Sequence, residues 1–314
     1  MKYSGIGGQA VIEGIMMKNK DDYATAVRKP NGEIEVQKSQ YVSLTKKVKL
    51  FSLPFIRGIF SFADSMILGM KTLTFSASFF EDDEDEKPSR FELWLDRVFG
   101  ERLEKVLMTF AMIFAVIAAI GIFMILPLGI SRLVHPLVPS ETGMAFLEGV
   151  IRLAIFIAYI KLISNMEDIR RTFMYHGAEH KCINCIEHGM ELNVDNVRAS
   201  SKQHKRCGTS FLIIVMMISI LFFMVIQVDG ILMKMISRVV LIPVIAGVSY
   251  EFLRLAGRSD NVLVNLLSKP GFWMQNMTTK EPDDKMIEVA IAAVEAVFDW
   301  KSYLAENFPE STPT

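Results

Sequence analysis

From Val106 to Ser131 the chain runs for 26 residues without a charged side chain. About 20 predominantly apolar residues suffice for a helix to cross a bilayer. The run therefore predicts a membrane-spanning helix, and the rest of the chain has to be arranged around it. Three more apolar stretches follow. Gly208–Val228 is uncharged throughout. Met144–Ile163 carries Glu148 and Arg152, an i,i+4 pair able to neutralise itself near a membrane edge. Leu232–Leu255 has a charge-free centre from Val239 to Tyr250, preceded by Lys234 and Arg238. The fold class expected is a mainly α-helical polytopic membrane protein with about four transmembrane helices. A hydrophobic share of 51% and a mean hydropathy of +0.31 agree, being too apolar for a soluble chain of 314 residues.

Orientation follows from Lys/Arg asymmetry. The long loop between the second and third expected spans is basic, with five Lys/Arg against three acids from Lys181 to Arg206. The loops around His135 and Asp229 hold one basic residue or none. The long loop is thus expected in the cytosol, and four spans place both termini there too. Three cysteines are too few, and odd in number, for a disulfide framework, which suits reduced thiols open to metal. A net charge of −1 argues against nucleic acid as a partner. The N-terminal MKYSGIGGQAVIEG lacks the apolar core of a signal peptide, so no cleaved leader is expected.

Outside the spans the chain divides by composition. Residues 1–48 read as a small β-rich region. Ala10–Met17 reads as a strand, and Tyr23–Lys29 and Glu33–Tyr41 as a hairpin around Pro30-Asn31-Gly32. Gly5-Ile6-Gly7-Gly8 is no dinucleotide fingerprint, because it opens a strand and not a helix. Residues 49–80 read as an amphipathic helix. Arg57, Ser61, Asp64 and Lys71 share one face, suited to the membrane interface or to packing on partner helices. Residues 81–104 read as an acidic linker and short amphipathic helix. Spans one and two then occupy 105–165, a His/Glu/Cys loop 166–207, and spans three and four 208–258. In 259–314 an apolar segment at Asn261–Met277 is expected to skim the interface. A tail helix begins near Pro282, with an apolar stripe of Ile287, Ile291, Val294 and Phe298 for packing or partner docking.

The chemistry concentrates in HGAEHKCINCIEH, His176 to His188. These thirteen positions hold three of the five histidines, two of the three cysteines and two glutamates. On a helix His176, His180 and Glu187 fall within about 40° of one another. The string His176-Gly-Ala-Glu179-His180 matches the inverted zincin pattern H-x-x-E-H. Two imidazoles and a carboxylate suit a divalent ion with one position open, and Glu179, a neighbouring acid, suits a general base. A competing set is Cys182, Cys185, His204 and Cys207, spaced as in a structural zinc knuckle. One helix cannot aim both sets at one ion. His188 and His135 are not expected to be ligands.

Four motifs resemble the YqhQ-like family of bacterial membrane proteins, described as predicted metal-dependent enzymes of unknown function. They are Gly7-Gly8-Gln9-Ala10-Val11-Ile12-Glu13-Gly14-Ile15-Met16-Met17, Tyr175-His176-Gly177-Ala178-Glu179-His180-Lys181, Arg206-Cys207-Gly208-Thr209-Ser210-Phe211, and Thr278-Thr279-Lys280-Glu281-Pro282-Asp283-Asp284. The resemblance implies a bacterial plasma-membrane location. It also implies that Cys182, where the family usually carries Thr, is not essential to a shared metal site. Asn184, where the family usually carries His, is a second departure. The expected ligands are then His176, His180 and Glu187, joined by His204 or Cys207, with Glu179 as general base and zinc as the expected ion. Two functions remain open. One is a metal-dependent hydrolase, with Lys181 and Arg206 available to an anionic substrate. The other is a non-enzymatic, metal-stabilised membrane scaffold or biogenesis partner, with lipid, a membrane protein or a second copy as partner.

Overall fold

The computed structural model describes residues 2–80, 103–134, 136, 138, 140–204, 206–257 and 261–309. The acidic run from Glu81 and His135 lie outside the described residues. In chain order the strands are β1 (Ile6–Val11), β2 (Gly14–Asn19), β3 (Asp22–Arg28) and β4 (Ile34–Gln40). The helices are α1 (Ile56–Ala77), α2 (Leu103–Ile120), α3 (Glu141–Ile163), α4 (Glu167–Glu187), α5 (Val194–Ala199), α6 (Gly208–Val225), α7 (Ile231–Ala256), α8 (Val262–Thr278), α9 (Asp284–Val297) and α10 (Trp300–Asn307). A π turn at Gly121–Ile125 carries α2 on into a helical segment, Leu126–Leu133. Pro127 has no N–H to donate back along the helix, and the backbone widens just before it. The chain forms two compact units. One comprises Met1–Phe80, Ile160–Ile218 and Val240–Thr314; the other comprises Glu81–Tyr159 and Ser219–Val239.

In the first unit the strands form an antiparallel meander in the order β1-β2-β3-β4. The pleat sends alternate side chains to opposite faces. Ile15 and Met17 on β2, with Ala26 on β3, enter a core shared with Tyr175, Cys182, Cys185 and Ile186 of α4 and Met286, Ile287 and Val294 of α9. Met16 and Tyr23 point the other way, onto Leu68 of α1. Each fully buried Ile or Met of this kind contributes about 1.5–3 kcal/mol. The sheet is thus held between α1 on one face and α4 with α9 on the other.

The expected hairpin at Pro30-Asn31-Gly32 is present as β3–β4, Gly32 taking φ +89°. The expected strand Ala10–Met17 is not continuous. Ile12 and Glu13 form the turn between β1 and β2. Glu13 sits there at φ +47°, and Arg171 of α4 clamps its carboxylate through Nε at 2.5 Å and Nη2 at 2.6 Å. A contact 158 residues away thus helps hold a turn whose positive-φ position is a glutamate.

Helix α1 buries part of its polar face, with Asp64 buried, Arg57 and Ser61 half-buried and Lys71 exposed. Asp64 accepts from Tyr41 Oη at 2.7 Å, Leu44 N at 3.0 Å and Ser43 Oγ. Arg57 pairs with Glu251 of α7 at 2.5 Å. Phe62, Met66, Ile67, Met70 and Leu73 remain exposed. Among the described residues, three helices are long and apolar enough to cross a membrane: Thr109–Leu133, Gly208–Val225 and Leu232–Ala256. The expected second span coincides with α3, a continuous helix carrying Glu141, Glu148, Arg152 and Lys161, which is not among the three.

Candidate metal centre

Helix α4 is unbroken from Glu167 to Glu187 despite Gly177. Gly177 is a packing residue: a Cβ there would lie 2.0 Å from the Lys280 carbonyl oxygen. The segment Thr278–Asp284 can therefore lie directly on α4, with Lys280 N donating to Phe173 O at 2.9 Å. Gly8 of β1 is required for a similar reason, since a Cβ would meet Met16 O at 2.7 Å and Glu179 Cγ at 2.9 Å. Gly177 thus answers to the close approach of the Thr278–Asp284 segment to α4, and Gly8 first to the neighbouring strand β2.

His176 and His180 lie one turn apart on α4, ring centroids 4.5 Å apart. Each is oriented from behind. His176 Nδ1 donates to Thr278 O at 2.9 Å, and His180 Nδ1 donates to Lys202 O at 2.6 Å. A carbonyl can only accept, so both rings carry a proton on Nδ1, which leaves Nε2 as the nitrogen available to a ligand. This is the arrangement that metal-ligating histidines adopt. Cys207 completes the group. Its Sγ lies 3.3 Å from His176 Nε2, and ligand atoms of His176, His180 and Cys207 all lie within 4.8 Å of one another. Tetrahedral N and S ligands around one zinc stand about 3.3–3.7 Å apart, so the set needs little closure. Cys207 also sits at the start of α6, where Thr209 N points at its Sγ at 3.4 Å.

The electrostatics agree with a thiolate ligand. Burial works to raise the Cys207 thiol, but the charges and hydrogen bonds of His176 and His180 outweigh it and hold it well below its ordinary range. Burial likewise opposes the charged form of His176, yet Cys207, Glu179 and the Thr278 carbonyl keep that imidazole up at about 9. Each of the two thus favours the charged form of the other.

Glu179 is buried beside Gly8, one residue from His180 and close enough to His176 to favour its charged form. Glu187 is fully buried but turned to the N-terminal segment. Its Oε1 accepts from Ser4 N and Ser4 Oγ, both at 2.9 Å, and from Arg206 Nη2 at 2.5 Å. Burial pushes its carboxyl up, but His204, Ser4 and Arg206 more than compensate and hold it at about 2. His204 stands with Glu187, its Nε2 3.7 Å from Oε2, and Arg206 Nη2 donates to that same ring nitrogen at 3.1 Å. Glu187 and His204 thus join Arg206 and Ser4, with the His204 ring 5.6 Å from that of His180, while the ligand atoms of His176, His180 and Cys207 converge.

Cys182 and Cys185 face the core behind the sheet, both fully buried. Burial raises both thiols, Cys185 to about 11, so they are protonated packing groups there. Lys181 is occupied by the Arg198 and Ser200 carbonyls, each at 2.9 Å, and by Glu281. His188 caps the end of α4 in solvent. Sequence reasoning missed Gln275. It is fully buried, accepts from His204 N at 2.8 Å and donates to His204 O and Ser210 Oγ, each at 2.6 Å. It holds the loop that delivers Cys207. Its only sequence signal is its place just ahead of the Thr278-Thr279 motif.

Residues 53–300 match the family described as protein of unknown function DUF1385. The chain belongs to the DUF1385 family. It is 32% identical over 311 residues to the uncharacterized protein YqhQ of Bacillus subtilis (strain 168), covering 96% of this chain and 94% of that one. No solved structure matches it. The helices of this DUF1385 chain that are long and apolar enough to cross a membrane point to a membrane protein, and the His176, His180 and Cys207 group lies inside the family-matched region.

Proposed function

We propose that the protein is a plasma-membrane metal-dependent hydrolase whose ion, zinc by ligand type, is held by His176, His180 and Cys207. The observation that carries this is the convergence of three ligand atoms, with both imidazoles fixed from behind by the Thr278 and Lys202 carbonyls. Three protein ligands leave a coordination position open. A divalent ion held there supplies Lewis-acid polarisation of a carbonyl or phosphoryl oxygen. Glu179, placed between the two histidines in sequence, takes the proton of the attacking water on its carboxylate and returns it to the leaving group. Gly8 lets the Glu179 side chain lie close against β1, where a Cβ would meet its Cγ at 2.9 Å.

Helix α3 is assigned as a fourth, charged span. The basic loop, the metal group and both termini then lie in the cytosol, as the Lys/Arg distribution favours. A membrane-embedded peptide or lipid headgroup is the substrate class that suits this position.

The burial of His180, Cys207 and Glu179 favours a second reading, a closed structural site that clips the 198–207 loop and the Thr278 segment to α4 within a scaffold. One pair of variants separates the two. Purified wild type should carry a full equivalent of metal, and His180→Ala little or none. Glu179→Gln should keep the metal and lose cellular function. Metal equally absent from wild type and His180→Ala overturns the metal assignment. A metal-loaded, fully functional Glu179→Gln leaves the structural reading standing.

A further inference from the structure

The helices of the second unit hold a charge imbalance. Glu148 of α3 is buried and binds two arginines at once. Arg152 Nη2 donates to its Oε1 at 3.0 Å, and Arg238 Nη2, from α7, to its Oε2 at 2.5 Å. Both guanidiniums stand over the ring of Phe223, at 5.3 and 5.4 Å. Their side chains are only 11% and 9% exposed. A guanidinium does not give up its proton in a protein, so one carboxylate against two arginines leaves one positive charge uncompensated. Arg152 Nε and Arg238 Nη1 are buried and find no acceptor among the described residues. Buried charges are ordinarily paired, and buried donors satisfied.

A cavity of about 250 Å³ adjoins this triad. Arg238, Glu148, Phe223, Ser131 and Ser237 contribute to its wall. Towards solvent it carries Arg132 and Lys234 against Glu141 and Asp229, two charges of each sign. The excess charge therefore sits at the buried end, where Arg238 has donors to spare.

We propose that this cavity binds a phosphate oxyanion against Arg238, either the phosphodiester of an anionic lipid headgroup or free phosphate. A guanidinium presents paired N–H donors that match two phosphate oxygens, and one such anion neutralises the triad. The site is independent of the metal group.

The test uses full-length protein in non-ionic detergent. Thermal unfolding is followed with added phosphatidylglycerol or phosphatidylcholine, and with sodium phosphate or sodium chloride at equal ionic strength. Native mass spectrometry records retained lipid. The expected result is a rise in melting temperature with phosphatidylglycerol and none with phosphatidylcholine. The same rise with sodium phosphate alone identifies the small anion as sufficient; phosphatidylglycerol alone identifies the lipid. Arg238→Gln should abolish the rise. Glu148→Gln, which frees both arginines from their carboxylate, should enlarge it, so the proposal stays testable if Arg238→Gln does not fold. No anion-dependent shift in wild type, or the same shift in wild type and every folded variant, overturns the site.

Discussion

His176 Nε2 and Cys207 Sγ lie 3.3 Å apart although 31 residues separate them in the chain. The loop that closes this distance is held by contacts of its own. Gln275 grips the His204 backbone from both sides, and Lys181 and Asn184 of α4 donate to four carbonyls between Arg198 and Gln203. The fold alone thus brings the three side chains together, and an ion bound there would be spared the cost of ordering the loop. Cobalt-substituted protein is expected to show a near-ultraviolet sulfur-to-cobalt charge-transfer band. Cys207→Ser should lose the band and bind the ion at least about tenfold more weakly, as loss of a ligand contact worth over ~1.4 kcal/mol requires. A band of unchanged intensity in Cys207→Ser would remove this cysteine from the site.

The other two thiols make the contrasting case. Cys182 and Cys185 pack against the sheet with Ile186 and Met286, and Cys185 Sγ–H points at Glu191 O, 3.3 Å away. Cys182→Ala should therefore leave metal content at the wild-type level while costing roughly 1–2 kcal/mol of stability through the small void it leaves. Metal analysis alongside detergent-phase unfolding reads both. Loss of metal in Cys182→Ala with an intact fold would restore the zinc-knuckle grouping.

The legible parts of this chain are those whose physics is local. The hairpin at Asn31-Gly32, the runs at Val106–Ser131 and Gly208–Val225, and the stripe Ile287, Ile291, Val294 each follow from spacing and turn chemistry. Helical geometry alone also pairs His176 with His180. What was not legible depends on distant contacts. Helical phase puts Glu187 on the same face as the histidines, but seven further residues carry it two turns along α4, to where Ser4 and Arg206 meet it. Glu13 reads as part of a strand until Arg171 pins it in a turn. Gln275 looks like any polar residue on an apolar helix until the loop it holds is folded beside it.

Gly177 tests the approach of the tail segment to α4. Its Cβ would have to share space with a backbone oxygen, not with the end of a flexible side chain. Gly177→Ala should displace Thr278–Asp284, pulling the Thr278 carbonyl from His176 Nδ1 and destabilising the unit by at least about 1–3 kcal/mol. The expected signature is faster proteolysis near Lys280 together with weakened metal binding. Neither effect would arise if the tail only lay loosely on the helix, and a variant with wild-type proteolysis and metal affinity would refute the close docking.

Glu187 gives the site region its acid limit. Its carboxyl is held at about 2, against an ordinary value of 4.5. A depressed carboxyl contributes stability that is complete above the unfolded value and is lost as pH falls through the folded one. The bonds to Ser4 and Arg206 should therefore be at full strength above about pH 5.5 and fade between about pH 4.5 and 2. Glu187→Gln leaves Arg206 without its buried partner and should cost about 3 kcal/mol near neutrality. Lys2 N donates to the Glu187 backbone carbonyl at 2.8 Å, so that bond survives the substitution and the N-terminal segment should loosen without detaching. Unfolding of wild type and Glu187→Gln, followed across pH in the same detergent, should show the gap between them narrowing as the pH drops below about 4.5. A gap that is constant from pH 7 to pH 3 would mean that the charge of Glu187 contributes nothing to holding the N-terminus on α4.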